Sequence, residues 1–96
     1  MKHYVCLKMG AEHDLASLFN EMERVLAEAQ NTLPGFRHHQ VLKETIPGTK
    51  AVSVLTVLDF ASCEEKGNYL RHPLHLALLQ QIKPAVIEKS VFDSAD

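Results

Sequence analysis

The sequence predicts an α+β fold in which one four-stranded antiparallel sheet carries helices on one face. The predicted elements follow the order β-α-β-β-α-α-β, which is a split β-α-β arrangement. One strand near the middle of the chain is apolar on both faces, which is unusual for a sheet that helices cover on one side only. The length of 96 residues is that of a single domain, residues 1–96, with one core.

The first two predicted elements are a strand and a long helix. Residues 2–9 alternate between two faces, and the face with most apolar residues carries His3, Val5, Leu7 and Met9. In residues 12–33 the apolar side chains recur at steps of three, four and one, which is the pattern of one buried helix face. The Pro34-Gly35 pair ends this helix.

Two more strands are predicted around a turn. Residues 36–44 form the weaker strand, and Pro47 and Gly48 mark a turn at 46–49. The stronger strand is 51–60, where one face carries Val52, Val54, Thr56, Leu58 and Phe60 and the other carries Ala51, Ser53, Leu55 and Val57. Because an exposed apolar sheet face is rare in a monomer, we expect an isologous homodimer that joins two chains through this face.

The last third of the chain is predicted to form two helices and a strand. The S-x-x-E sequence at Ser62 fits a capping box, so a helix begins near Cys63. It ends before Pro73, where the next helix begins, because proline disfavours helical geometry in the preceding residue but suits the first helical position. The second helix is expected to point Leu74, Ala77, Leu78 and Ile82 inward, and Leu76 and Leu79 widen its apolar arc. Pro84 marks a kink or the end of that helix, and residues 90–93 form the final strand.

Composition argues against several classes of partner. The net charge is −2 and like charges do not cluster, so we expect no nucleic-acid binding. No apolar run reaches the ~18–20 residues of a membrane span, and the N-terminus does not fit a signal peptide, which predicts a cytoplasmic protein without membrane contact. Cys6 and Cys63 are expected to be buried, reduced thiols rather than a disulfide framework.

Neither a metal nor another cofactor is expected. His38 and His39 are adjacent on a strand and point to opposite faces, so they cannot chelate together. His72 and His75 offer two ligands at most, with no cysteine or acid at a zinc-site spacing. The sequence also has no glycine-rich phosphate loop.

The segment YLRHPLHL, residues 69–76, carries the candidate chemistry. His72 precedes Pro73, so its ring is expected to cap the following helix. His75 lies in the first turn of that helix, where the helix dipole and partial burial favour the neutral imidazole. Tyr69 ends the preceding helix, and its protonated phenol can donate to a carbonyl oxygen. The alternative is that Tyr69 and His75 bond each other, or the backbone, at the edge of the core.

An ordered set of motifs resembles the stress-responsive A/B barrel family, called Dabb. These motifs are the opening KHYVCLKM, PGF at 34–36, the apolar third strand that ends in Phe60, Y-x-x-H-P-x-H at 69–75 and SVFD at 90–93. The resemblance covers nearly the whole chain. It implies a ferredoxin-like fold whose dimer joins two sheets into an α+β barrel.

The resemblance also implies a pocket between sheet and helices. Many family members have no assigned activity, some plant relatives respond to stress, and some are polyketide cyclases that use a tyrosine and a histidine. Those two residues correspond to Tyr69 and His75, and a strand histidine of the same pocket corresponds to His3. His72 is a further candidate binding residue. A third-strand histidine of the plant cyclases has no counterpart, because this chain has Val54 near that place.

The sequence therefore predicts a small dimeric protein with an interior pocket for an apolar or aromatic small molecule. His75 as base and Tyr69 as donor would remove a proton α to a ketone and stabilise the enolate. Two alternatives stay open. One is a non-catalytic stress or interaction protein, and the other, by analogy of fold alone, is a cofactor-free monooxygenase.

Overall fold

A computed structural model describes residues 1–44 and 50–95. Its elements are β1 (Lys2–Gly10), α1 (Leu15–Thr32), β2 (Phe36–Lys43), β3 (Ala51–Phe60), α2 (Cys63–Arg71), α3 (Pro73–Ile82), a 3₁₀ turn (Lys83–Ala85) and β4 (Val86–Ser94). The order of helices and strands is the predicted one. The turn predicted at 46–49 lies outside the described residues.

The four strands form one antiparallel sheet in the order β2-β3-β1-β4. In its centre, β1 places His3 opposite Leu58 of β3 and Asp93 of β4. The sheet and its three helices form the ferredoxin-like α+β fold that the sequence predicts. The register brings residues from the two ends of the chain into contact on the helix side of the sheet.

Helix α1 forms most of the layer that covers the sheet. The carboxylate of Asp14 accepts a hydrogen bond from the backbone N–H of Ser17 and so caps the helix. The buried face of α1 carries Phe19, Met22, Val25, Leu26 and Ala29, as the spacing predicts. Gly35 follows with a φ of 82°, a left-handed conformation that lets the chain turn directly into β2.

The helices leave the edge strand β4 uncovered. None of its nine residues, all of which are described, is buried. The sequence predicts a strand over residues 90–93 only, whereas the observed strand is Val86–Ser94. The difference arises because Glu88 and Lys89 interrupt the apolar alternation, and a register shift opposite Lys8 and Met9 breaks its period.

The sheet face that points away from the helices is called the open face here. It carries Tyr4, Leu42, Leu55, Val57 and Phe92. The two central-strand residues Leu55 and Val57 are half-buried in one chain, while Leu42 is 46% and Phe92 63% exposed. The prediction that β3 is apolar on both faces is therefore confirmed.

Three predictions about buried residues are wrong. Cys6 and Cys63 are both exposed in the single chain, because Cys6 lies on the open face and Cys63 lies in the first turn of α2. Ala77 was expected to point into the core with Leu78, but it is exposed on the outer side of α3. Within residues 1–44 and 50–95, no helix is both long enough and apolar enough to span a membrane.

Candidate active-site cavity

A cavity of about 510 Å³ lies between the helices and the sheet. Its floor is formed by the helix-facing side chains of β1 and β3, including Val5 and Leu58, and its roof by apolar residues of α1 and α3. Met22 lines the roof, whereas Met9 packs in the core beside it. The space predicted from the family resemblance is thus open and is not filled by core side chains.

The cavity opens at the uncovered edge of the sheet. Four of its lining side chains are exposed, and they lie on α3, on the 3₁₀ turn and on β4: Gln80, Lys83, Lys89 and Val91. Because no helix covers β4, the space between β4 and the end of α3 is the mouth of the cavity. A small molecule can therefore enter from this side.

Tyr69 lines the inner part of the cavity and is held by an aromatic cluster. Its ring centroid lies 5.3 Å from that of Phe36 and 5.7 Å from that of Phe60, and the ring is 3% exposed. Within residues 1–44 and 50–95, the hydroxyl oxygen Oη of Tyr69 has no hydrogen-bond partner. Every fully buried side-chain polar atom in these ranges has such a partner, so this oxygen is not fully buried. The hydroxyl must therefore have access to the cavity.

Burial of Tyr69 decides its protonation state. Removal from water raises the pKa of the phenol far above its usual value. The hydroxyl is therefore protonated throughout the physiological range and can donate a hydrogen bond to an oxygen atom of a bound molecule.

His75 faces the same cavity, and its ring centroid is 4.7 Å from that of Tyr69. Its Nδ1 lies 3.0 Å from the backbone oxygen of Leu70. A carbonyl oxygen only accepts hydrogen bonds, so Nδ1 carries the proton and Nε2 of the neutral ring has a free lone pair. Tyr69 and His75 do not bond each other, but His75 bonds the backbone, as the alternative interpretation of this pair allows.

The environment of His75 favours this neutral form. Burial is the largest cause that lowers its pKa, and the positive charge of Lys89 acts in the same direction. The hydrogen bond to the Leu70 carbonyl opposes them without reversing the shift. His75 is therefore a base that is ready to accept a proton at neutral pH.

His3 is a second imidazole that lines the cavity. It is buried, and its Nδ1 donates to Oδ1 of Asp93 at 2.6 Å. Asp93 also accepts from Nζ of Lys66 at 2.8 Å, and Lys66 is the larger cause, followed by His3, of the lowered pKa of Asp93. The ionised carboxylate holds Nδ1 of His3 and so leaves Nε2 as the ring atom that is available to a bound molecule.

Sequence reasoning identified His3 but missed Asp93 and Lys66. The signal was present in the final SVFD motif, which ends at Asp93. Only the antiparallel register of β1 with β4 shows that this aspartate stands opposite His3. Lys66 comes to the pair from α2, which no pattern within that helix indicates.

His72 has a different position. Its Nδ1 accepts a hydrogen bond from the backbone N–H of Leu74 at 3.1 Å, so the ring caps α3 as predicted. His72 is not among the side chains that line the cavity. The role of this residue in the geometry is to separate α2 from α3 and so to bring Tyr69 and His75 to the same space.

The histidines do not gather into a metal centre. In the part of the chain that the structure describes, no three His, Cys, Asp or Glu side chains stand close enough to hold an ion. The site consists instead of a phenol donor and two imidazoles with free Nε2 atoms around an apolar space. That set can move protons on a bound organic molecule.

The whole chain, residues 1–96, matches the family model of the Stress responsive A/B Barrel Domain, Dabb. The chain belongs to this family. No curated protein matches this A/B barrel sequence.

Solved structures with the same fold have diverse descriptions. A dimeric protein of unknown function and ferredoxin-like fold from Bacteroides fragilis is 17% identical, with a TM-score of 0.82 over 97% of this chain and 92% of that one. SnoaB, a cofactor-independent oxygenase from Streptomyces nogalater, is 18% identical, with a TM-score of 0.67 over 99% and 93%. A hydroxynitrile lyase from Passiflora edulis is 14% identical, with a TM-score of 0.72 over 95% and 87%. These likenesses show that this A/B barrel protein shares its fold with them.

Proposed function

We propose that this A/B barrel protein binds an apolar or aromatic carbonyl compound in the cavity and transfers a proton on it. One observation carries the proposal. The free Nε2 of His75 and the hydroxyl of Tyr69 belong to adjacent rings that line one apolar cavity. A base and a donor in this arrangement suit the removal of a proton next to a carbonyl group.

In the proposed step, Nε2 of His75 takes a proton from the carbon α to a ketone. The electron pair of the C–H bond moves into the enolate, and the Tyr69 hydroxyl donates a hydrogen bond to the developing oxygen anion. Nε2 then returns its proton to the same carbon or to the product of a ring closure. Asp93 would keep His3 oriented toward the same substrate without taking part in proton transfer.

We also propose that two copies of the chain form a homodimer through the open face. The support is the apolar surface of Tyr4, Leu42, Leu55, Val57 and Phe92, on the side opposite the cavity. The dimeric relative from Bacteroides fragilis has the same fold. Two sheets packed in this way would enclose a barrel and leave each cavity mouth at its outer edge.

The proton-transfer proposal is tested with 2-tetralone, an aromatic ketone with exchangeable α protons. The wild-type protein in D₂O should accelerate the loss of the α-proton signals in ¹H NMR spectra. We expect His75→Asn to reduce this acceleration by about 10²-fold or more and Tyr69→Phe to reduce it less, since the base is removed in one and a hydrogen bond in the other. His13→Asn, which changes a loop histidine outside the cavity, is the control.

Exchange at the buffer rate in the wild-type protein would contradict proton transfer on such ketones. If 2-tetralone nevertheless raised the midpoint of thermal unfolding, the protein would be a binder without catalysis. This outcome corresponds to the non-catalytic alternative.

A cofactor-independent oxygenase is the second candidate, and the fold shared with SnoaB supports it. The first step would be the same, because a substrate carbanion is the electron donor that could react with O₂. The distinguishing measurement is oxygen uptake with quinol substrates. Uptake that depends on His75 would favour the oxygenase.

A further inference from the structure

The mouth of the cavity carries positive charge without a matching acid. Lys83 follows α3 and Lys89 lies on β4, and both line the cavity while their side chains remain exposed. Within the described ranges, neither lysine forms an ion pair, and no aspartate or glutamate lines the cavity. Two cations therefore stand where an otherwise apolar space meets water.

The position of Lys89 is unusual for a lysine in this sheet. It pairs with Leu7, which in turn pairs with Val54, so the three residues form one row on the helix-facing side. The other two members of the row are buried apolar residues. The nearest acid on the same face of β4 is Asp93, whose carboxylate is already bonded to Lys66 and His3.

We infer that the ligand of this cavity is an amphipathic anion, with an apolar body inside and a carboxylate at the mouth between Lys83 and Lys89. This inference rests on the proposed function, because it names the substrate class of the same cavity. The apolar floor and roof bind the body by burial of apolar surface. The lysine ammonium groups then orient the ligand, because they can form charge-assisted hydrogen bonds only with an anionic group that lies at the mouth.

The orientation has a chemical consequence. A carboxylate held at the mouth places the opposite end of the molecule deep in the cavity, next to Tyr69 and His75. The substrate class would therefore be aromatic or aliphatic keto acids, whose carbonyl group lies away from the acid group.

The experiment compares 2-naphthoate with 2-naphthylmethanol, which have the same ring system and differ in charge. Isothermal titration calorimetry of the full-length wild-type protein should show the acid bound about fivefold more tightly, because two exposed ion pairs contribute modestly. Lys83→Gln/Lys89→Gln should abolish this preference and leave the affinity for the alcohol unchanged. Lys83→Arg/Lys89→Arg should preserve it, and so should the control Lys50→Gln, which lies outside the cavity. Higher salt should reduce the preference in the wild type.

Two results would overturn the inference while leaving the cavity ligand in place: equal affinities in the wild type, or a preference that survives the double Gln substitution. If neither compound bound, the proposed function itself would fail together with the inference. Binding of the alcohol therefore distinguishes a failure of the inference from a failure of the proposed function.

Discussion

At the scale of single residues, the chemistry depends on which atom of each ring is already occupied. His75 uses Nδ1 for the Leu70 carbonyl and His3 uses Nδ1 for Asp93, so both rings leave Nε2 for the cavity. Tyr69 is fixed by contacts of its ring alone, and its hydroxyl stays available. Each polar group is thus positioned by a partner that does not compete with a ligand.

The protonation of His75 gives a prediction with a definite sign. Burial and the charge of Lys89 both disfavour the imidazolium, so its pKa should lie below the usual value of about 6.5. The neutral base then persists as the pH falls through 6.5, and the acid limb of any His75-dependent rate should lie below that pH. NMR titration of the histidine Cε1–H signals measures this, with His75→Asn assigning the signal.

A substitution at the mouth provides the matched control for this titration. Lys89→Gln removes one positive charge near His75 and should raise its midpoint toward the usual value. Lys50→Gln removes a charge outside the cavity and should leave the midpoint unchanged. A His75 midpoint above 6.5 in the wild type would contradict the assigned environment.

At the scale of the elements, the sequence predicts those parts that have a regular period. The spacing in α1 and the alternation in β3 are strong because one face of each packs against a continuous core. The edge strand β4 contacts the core at Val86 but buries none of its residues, and its polar residues interrupt the apolar pattern over most of its length. Leu76 shows the reverse error, since an apolar residue predicted to extend the buried arc of α3 is 49% exposed.

The candidate site also has one part that the sequence could predict and one part that it could not. Tyr69, His72 and His75 lie in one short segment, so their local pattern and the family resemblance could indicate a site. Asp93 and Lys89 reach it only through the register of β4 with β1, and Lys83 through the end of α3. Contacts between distant segments leave no local period in the sequence, which is why the charged mouth could not be predicted.

Two glycines offer opposite tests of the local backbone. Gly35 has a φ of 82°, and an added Cβ would collide with Cγ of Glu65. Gly35→Ala should therefore lower the free energy of unfolding by about 1–3 kcal/mol. Gly67 lies inside α2, and the side-chain atom nearest to an added Cβ is the flexible Nη1 of Arg71, at 3.0 Å. Gly67→Ala should therefore raise the free energy of unfolding by about 0.5–1 kcal/mol, because alanine favours the helix more than glycine does.

Urea unfolding at one fixed protein concentration measures both variants, because an oligomer's stability depends on concentration. The two midpoints should move in opposite directions from the wild type. A Gly35→Ala variant as stable as the wild type would show that the turn from α1 into β2 does not need the left-handed conformation.

At the scale of the whole molecule, the sheet separates two apolar surfaces with different uses. The helix-facing side holds the core and the cavity, whose mouth is at β4. The open face holds exposed and half-buried apolar side chains with no helix over them. If a second copy covers the open face, the mouth remains accessible, so dimerisation and ligand entry do not compete.

The homodimer is tested by placing a charge in the middle of the open face. Val57 pairs with Tyr4 on one side and Gln40 on the other, so Val57→Lys would bury an unpaired ammonium group between two sheets. Analytical ultracentrifugation should give twice the 10.8 kDa chain mass for the wild type and about the single mass for the variant. Leu76→Lys makes a similar change on the outer side of α3 and should remain dimeric. A wild-type protein that stays folded and monomeric at micromolar concentration would refute the homodimer, and the open face would then need another explanation.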